Sequence, residues 1–151
     1  ALLEDLSGQW LPAIPLYRAV DLADSAGLAW IRLGDASLQA ADFSASGENY
    51  LHAQEIWKMT GSEPGLALVA YRRAELAWLG REDARQALAL LEESLDWLSK
   101  SPPTLQTGPR VVVQNALARI KKRQTGPWEA WNWQPFTDLA CITLFLPIFY
   151  N

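Results

Sequence analysis

From Leu2 to Lys100 the apolar residues return every three to four positions, in Ala- and Leu-rich runs separated by short breaks, and no stretch alternates apolar and polar residues as a strand would. That period places them on one face of a helix. The pattern predicts helices over 12–24, 28–41, 45–59, 66–79 and 83–99, antiparallel in succession, with breaks at Ser25-Ala26-Gly27 and at Gly61-Ser62-Glu63-Pro64-Gly65. Ser44 and Asp83 are expected N-caps, since a short oxygen-bearing side chain accepts from the free amides of a first turn. Gly61 and Gly80 are expected at helix ends, where a left-handed residue costs least without a Cβ. Pro102-Pro103 stops any helix. A further amphipathic helix is predicted over 110–124, with Val111, Val112, Leu117 and Ile120 toward one side, bracketed by the tetrapeptides Gln106-Thr107-Gly108-Pro109 and Gln124-Thr125-Gly126-Pro127. The fold class this implies is all-α.

The chain also resembles itself. Gly8, Gln9, Trp10, Ala13, Tyr17 and Val20 align with Ala41, Asp42, Phe43, Ser46, Tyr50 and Ala53 at a constant offset of 33, the length of a helix pair. Trp30, Leu33-Gly34, Asp42-Phe43, Tyr50 and Ala53 follow one another at the spacing of large, small and aromatic positions in a tetratricopeptide repeat, and this segment resembles that family. Gly34 and Ala53 are expected at the helix crossing, where only a small side chain permits close approach, with Trp30, Phe43 and Tyr50 filling the space beside it. Gly8–Asp24 then reads as half a repeat, Gly27 to about Thr60 as a complete one and Leu66–Lys100 as another. The last departs from the pattern: its second helix is offset by 41 and it lacks the Leu-Gly pair.

The resemblance implies an antiparallel helix-pair solenoid of about 2.5 repeats over residues 1–100; beyond it the residues themselves give a linker and capping helix over 101–126 and a Trp-rich apolar tail over 127–151. It also implies a concave partner-binding face near Leu28, Ile31, Asp35, Leu38 and Gln39, with Arg72 and Arg73 on the next first helix. Adjacent arginines could clamp a carboxylate by bidentate hydrogen bonds. The plainer reading, which we favour, is an ion pair of Arg72 with Glu75 on a solvated face.

Composition narrows the function. A chain of 151 residues, half hydrophobic and one-fifth charged (20%), folds as about one domain. One cysteine, Cys141, and one histidine, His52, leave no material for a disulfide framework, a Cys-based zinc site or a histidine triad. No phosphate loop or dinucleotide fingerprint is present. We therefore expect no catalytic residues, no metal and no cofactor, in the cytoplasm or another reducing compartment. The first residue, Ala1, suggests a processed chain or one part of a longer protein. His52, with Glu48 and Glu55 at helical distance, reads either as a proton shuttle or, more simply, as an exposed helix-surface residue. Glu92, Glu93 and Asp96 read as a solvated face.

Residues 1–109 carry eight Lys/Arg against fifteen Asp/Glu, residues 110–151 five against two. An acidic body makes a nucleic-acid partner unexpected. Arg119, Lys121, Lys122 and Arg123 at the end of the 110–124 helix suit a C-terminal helix dipole, or else an anionic surface. Beyond them Trp128, Trp131, Trp133, Phe136, Phe145 and Phe149 stand in a proline-interrupted tail whose stretch 139–150 carries no charge. Twelve such residues span only about 18 Å as a helix, short of a bilayer. The tail is left to dock on a partner, pack on its own chain or rest at a membrane interface. The expected function is a non-catalytic protein–protein interaction scaffold: adaptor, assembly factor or structural subunit of a larger complex. Two alternatives are a membrane-associated assembly factor anchored by the tail and the partner-sensing module of a longer regulator.

Overall fold

A computed structural model describes residues 22–81, 83–103 and 107–125. Within them the chain is all-helical, with no strand among the described residues. Five helices follow in order: α1 (Ala23–Gln39), α2 (Phe43–Thr60), α3 (Glu63–Arg81), α4 (Ala84–Lys100) and α5 (Thr107–Thr125). Helices α1 and α2 pair as one hairpin and α3 and α4 as a second. The hairpins meet through α3, which packs on α2 and touches α1, while α5 lies against α4. The predicted 12–24 helix falls largely outside the described residues.

Local chemistry sets the helix ends. Asp42, not Ser44, caps α2: its carboxylate accepts from the Ala45 amide at 3.1 Å, because the helix begins at Phe43, two residues before the periodicity placed it. Asp83 caps α4 as expected, accepting from Gln86 N at 3.0 Å. Ser62 does the same for α3, accepting from Gly65 N at 3.2 Å, so the helix starts before Pro64 and tolerates it in the first turn. Gly61 ends α2 at φ 70°, a left-handed conformation that suits glycine. Ser101 is extended (φ −79°, ψ 161°), the conformation demanded of a residue before proline, and α4 stops there.

Two expected interruptions are helical. Ser25-Ala26-Gly27 lies in the first turns of α1, and Gly80 is the last residue but one of α3, near the helix end expected of it but without a left-handed backbone. The reason is packing. Every seventh residue of α2 from Phe43 is aromatic, and each ring lies on a glycine of a neighbouring helix. A Cβ added to Gly80 would stand 3.1 Å from Phe43, one on Gly34 would stand within clashing distance of Tyr50, and one on Gly27 or Gly65 would collide with the Trp57 indole. These glycines permit close helix approach. Tyr50 thus sits beside Gly34 as the repeat pattern implied, whereas Phe43 serves the second hairpin and Trp30 is only half-buried.

The core runs continuously through both hairpins and into α5. In α2 the residues Ser46, Tyr50, Ala53 and Trp57 are fully buried, and 41 positions later so are Ala87, Leu91, Ser94 and Leu98 in α4. The offset noted in the sequence is therefore the repeat of the buried stripe itself. Ser94 satisfies its burial by donating to the Ala67 carbonyl at 2.7 Å. Helix α3 is the central element, buried without interruption from Gly65 to Arg72. In α5 the inward residues are Val112, Val113, Ala116 and Ile120; Leu117 is half-buried and Val111 faces outward, so the inward face is turned from the one expected.

Candidate functional site

Two features on α3 hold the chemistry of the described residues, and they begin with the adjacent arginines. Successive residues of a helix project about 100° apart, so Arg72 and Arg73 point in different directions and cannot act as one clamp.

Arg72 is buried at 6% exposure between the hairpins. Its Nη1 donates to Glu75 Oε2 at 2.9 Å, one turn along α3, and its Nε lies 3.4 Å from Asp35 Oδ1 on α1. The Tyr50 hydroxyl, from α2, donates to the same Asp35 oxygen at 2.6 Å. Three helices are thereby joined by one cluster. The expected Arg72–Glu75 pair forms, but not on a solvated face: α1 and α2 cover it, which the i,i+3 spacing could not reveal. Burial pushes the Asp35 carboxyl up from 3.8, opposed by the Arg72 guanidinium, the Tyr50 hydrogen bond and Arg32. Burial likewise raises Glu75 from 4.5, with Arg72 pulling it down and Asp35 adding to the rise. The Tyr50 hydroxyl is also raised, first by burial and then by its two anionic neighbours, and stays neutral. Loss of solvent around the two carboxyls is thus the physical origin of the upward shifts, and the Arg72 guanidinium offsets it only in part.

Sequence reading missed the symmetry of this cluster. Arg32-x-x-Asp35 on α1 recurs 40 residues later as Arg72-x-x-Glu75 on α3, so corresponding positions of the two hairpins carry the same charge pair. A search at an offset of 40 within the first helices would have found it. The offset of 33 hid it.

Arg73 lies elsewhere. It lines an open cleft of about 150 Å³ with Gly47 and Leu51 of α2, Leu76 and Ala77 of α3, and Gln86 and Leu90 of α4. The cleft lining is mixed, with Leu51, Leu76, Ala77 and Leu90 beside Arg73 and Gln86, and Leu51 is 46% exposed. Arg73 makes a 3.5 Å contact with Gln54 Oε1 and no ion pair with any carboxylate among the described residues.

The other expected partner-binding residues fall in three settings. Leu28 and Ile31 are core residues, Asp35 belongs to the buried cluster, and Leu38 and Gln39 are half-buried and exposed at the end of α1. His52 is exposed and stacks on Trp30, with ring centroids 4.4 Å apart, and Glu92, Glu93 and Asp96 lie on the exposed face of α4. In the last turn of α5, Arg123 stands over the Trp78 ring at 4.6 Å and so joins α5 to α3. Among the described residues no three His, Cys, Asp or Glu side chains gather as a metal site, and no helix is long and apolar enough to cross a membrane. Trp128, Trp131, Trp133, Phe136, Phe145, Phe149 and Cys141 lie outside the described residues. Comparison with protein-family models, curated proteins and solved structures finds no match to this chain.

Proposed function

We propose that this chain is a non-catalytic interaction scaffold: a tetratricopeptide-like array of helix hairpins, closed at one end by α5, that serves as an adaptor, assembly factor or structural subunit of a larger complex. The observation that carries the reading is the repeat of buried positions, 46, 50, 53 and 57 in α2 against 87, 91, 94 and 98 in α4, with the first helices stacked beside them. Helix pairs that bury one another in series form an extended surface rather than an enclosed pocket, and such surfaces hold other proteins. The cleft between α2 and α4 is one element of that surface. The aromatic tail supplies a second, through Trp128, Trp131 and Trp133.

Recovery of the tagged full chain from native extract, with chemical crosslinking and mass spectrometry, tests this. A partner in fixed stoichiometry, crosslinked to α2 or α4 and weakened when Trp128, Trp131 and Trp133 are replaced by Ala, is the expected result. A chain that sediments alone and crosslinks to nothing overturns the reading.

A further inference from the structure

The cleft lined by α2, α3 and α4 carries a helical glycine with no ring against it and an arginine with no carboxylate partner among the described residues. The first is Gly47. Gly27, Gly34, Gly65 and Gly80 each stand under an aromatic ring that a Cβ would crowd, but a Cβ on Gly47 would meet only Leu76 Cδ2, at an ordinary 3.5 Å. A glycine inside a helix costs about 1 kcal/mol relative to alanine, and here no internal contact asks for it. Without a side chain at this position, the cleft wall formed by α2 is bare backbone there. The second is Arg73. Its neighbour Arg72 is held by two carboxylates, whereas Arg73 is half-buried beside Leu51, Leu76 and Leu90, donates one long hydrogen bond to Gln54 Oε1 at 3.5 Å, and has no carboxylate partner among the described residues, although the surrounding body is acidic.

We propose that the α2/α3/α4 cleft is a docking site for an acidic amphipathic helix of a partner protein, seated by one apolar side chain in the cleft and one Asp or Glu paired with Arg73. The inference rests on the interaction-scaffold reading and specifies the partner's chemistry. The cleft volume of about 150 Å³ suits a single large apolar side chain, since a cavity of roughly that size accepts benzene. A carboxylate three or four residues from that anchor lies on the same face of the incoming helix. Arg73, at the cleft edge and already partly desolvated, offers it a planar pair of donors. The bare wall at Gly47 admits the helix backbone.

The probe is a displayed library of random 12-residue peptides, selected against the full chain. The strongest peptide is then synthesised with its acidic residue as Glu and as Gln, and each form is titrated against the wild-type chain and R73Q. Arg73 makes no ion pair among the described residues and only a 3.5 Å hydrogen bond to Gln54, so R73Q should keep its fold, which an unchanged thermal midpoint verifies. The selected peptides should place Asp or Glu three or four residues from Leu, Met or Phe. Either change alone should weaken binding at least tenfold, and both together should weaken it little further. G47L should block binding without lowering the thermal midpoint. Selection of no peptide, peptides without the acidic position, or independent effects of the two changes would overturn the proposal. A crosslinked natural partner unaffected by R73Q would sink the cleft assignment while leaving the scaffold reading intact; absence of any partner would remove both.

Discussion

Trp57 shows how much a single side chain organises here. Its indole is fully buried between Gly27 of α1 and Gly65 of α3, and its Nε1 donates to Asp24 at 3.0 Å, so one residue spaces three helices. Tyr50 works similarly, with its ring on Gly34 and its hydroxyl on Asp35. The sequence shows these aromatics and glycines but not their pairing. Two alanine substitutions with opposite expected signs test the pairing. Gly34→Ala forces a methyl into the Tyr50 ring and should destabilise the chain by about 1–3 kcal/mol, the usual cost of overpacking. Gly47→Ala meets only an ordinary contact with Leu76, and should stabilise by up to about 1 kcal/mol through helix propensity. Urea midpoints of the two variants measure both, and equal signs would contradict the packing described.

The helices themselves were largely legible, because periodicity, caps and breakers act over a few residues. Helix α4 lies within a residue of its expected span and its cap is the expected Asp83. The start of α2 was misread because Asp42 and Ser44 are both good capping residues and only the observed hydrogen bond separates them. Asp42→Ala should therefore cost about 1 kcal/mol and Ser44→Ala close to nothing, as read by thermal unfolding; the reverse order would move the helix start. The turn before it is strained in a way no propensity scale announces, with Ala41 at φ 59°, a left-handed conformation for a residue that bears a Cβ. Its backbone is held there by Asp42 N donating to Ser37 O at 2.9 Å and by Ala41 N donating to Leu38 O.

Across the molecule, the cluster of Asp35, Tyr50, Arg72 and Glu75 couples the two hairpins electrostatically as well as by packing. Unfolding returns Asp35 and Glu75 to their ordinary values of 3.8 and 4.5, whereas both are higher in the folded chain, so the native state binds more protons over the interval between. The stability this contributes is complete below the ordinary values and is lost as pH rises through the raised ones. The unfolding midpoint should fall with pH over that window, and Asp35→Asn with Glu75→Gln should flatten the slope. Arg72→Met, which leaves two buried carboxylates without their cation, should cost about 3–5 kcal/mol at neutral pH and distinctly less at pH 5, as chemical denaturation at the two pH values would show. A cost independent of pH would mean that the guanidinium acts through packing alone.

The same cluster marks the boundary of what could be read from the chain. Helical periodicity, the Asp83 cap, the stop at Pro102 and the offset of 41 between second helices are local or self-referential features, and they were visible because a 3.6-residue period states which residues share a face. It does not state what that face meets. Arg72 and Arg73 are neighbours with the same charge and the same propensity, and nothing local tells them apart. Only the docking of α1 and α2 onto α3 encloses Arg72 with Asp35 and Tyr50 and leaves Arg73 at an open cleft. That difference arises from long-range packing, where the position of a side chain around its helix is converted into burial, partner and charge.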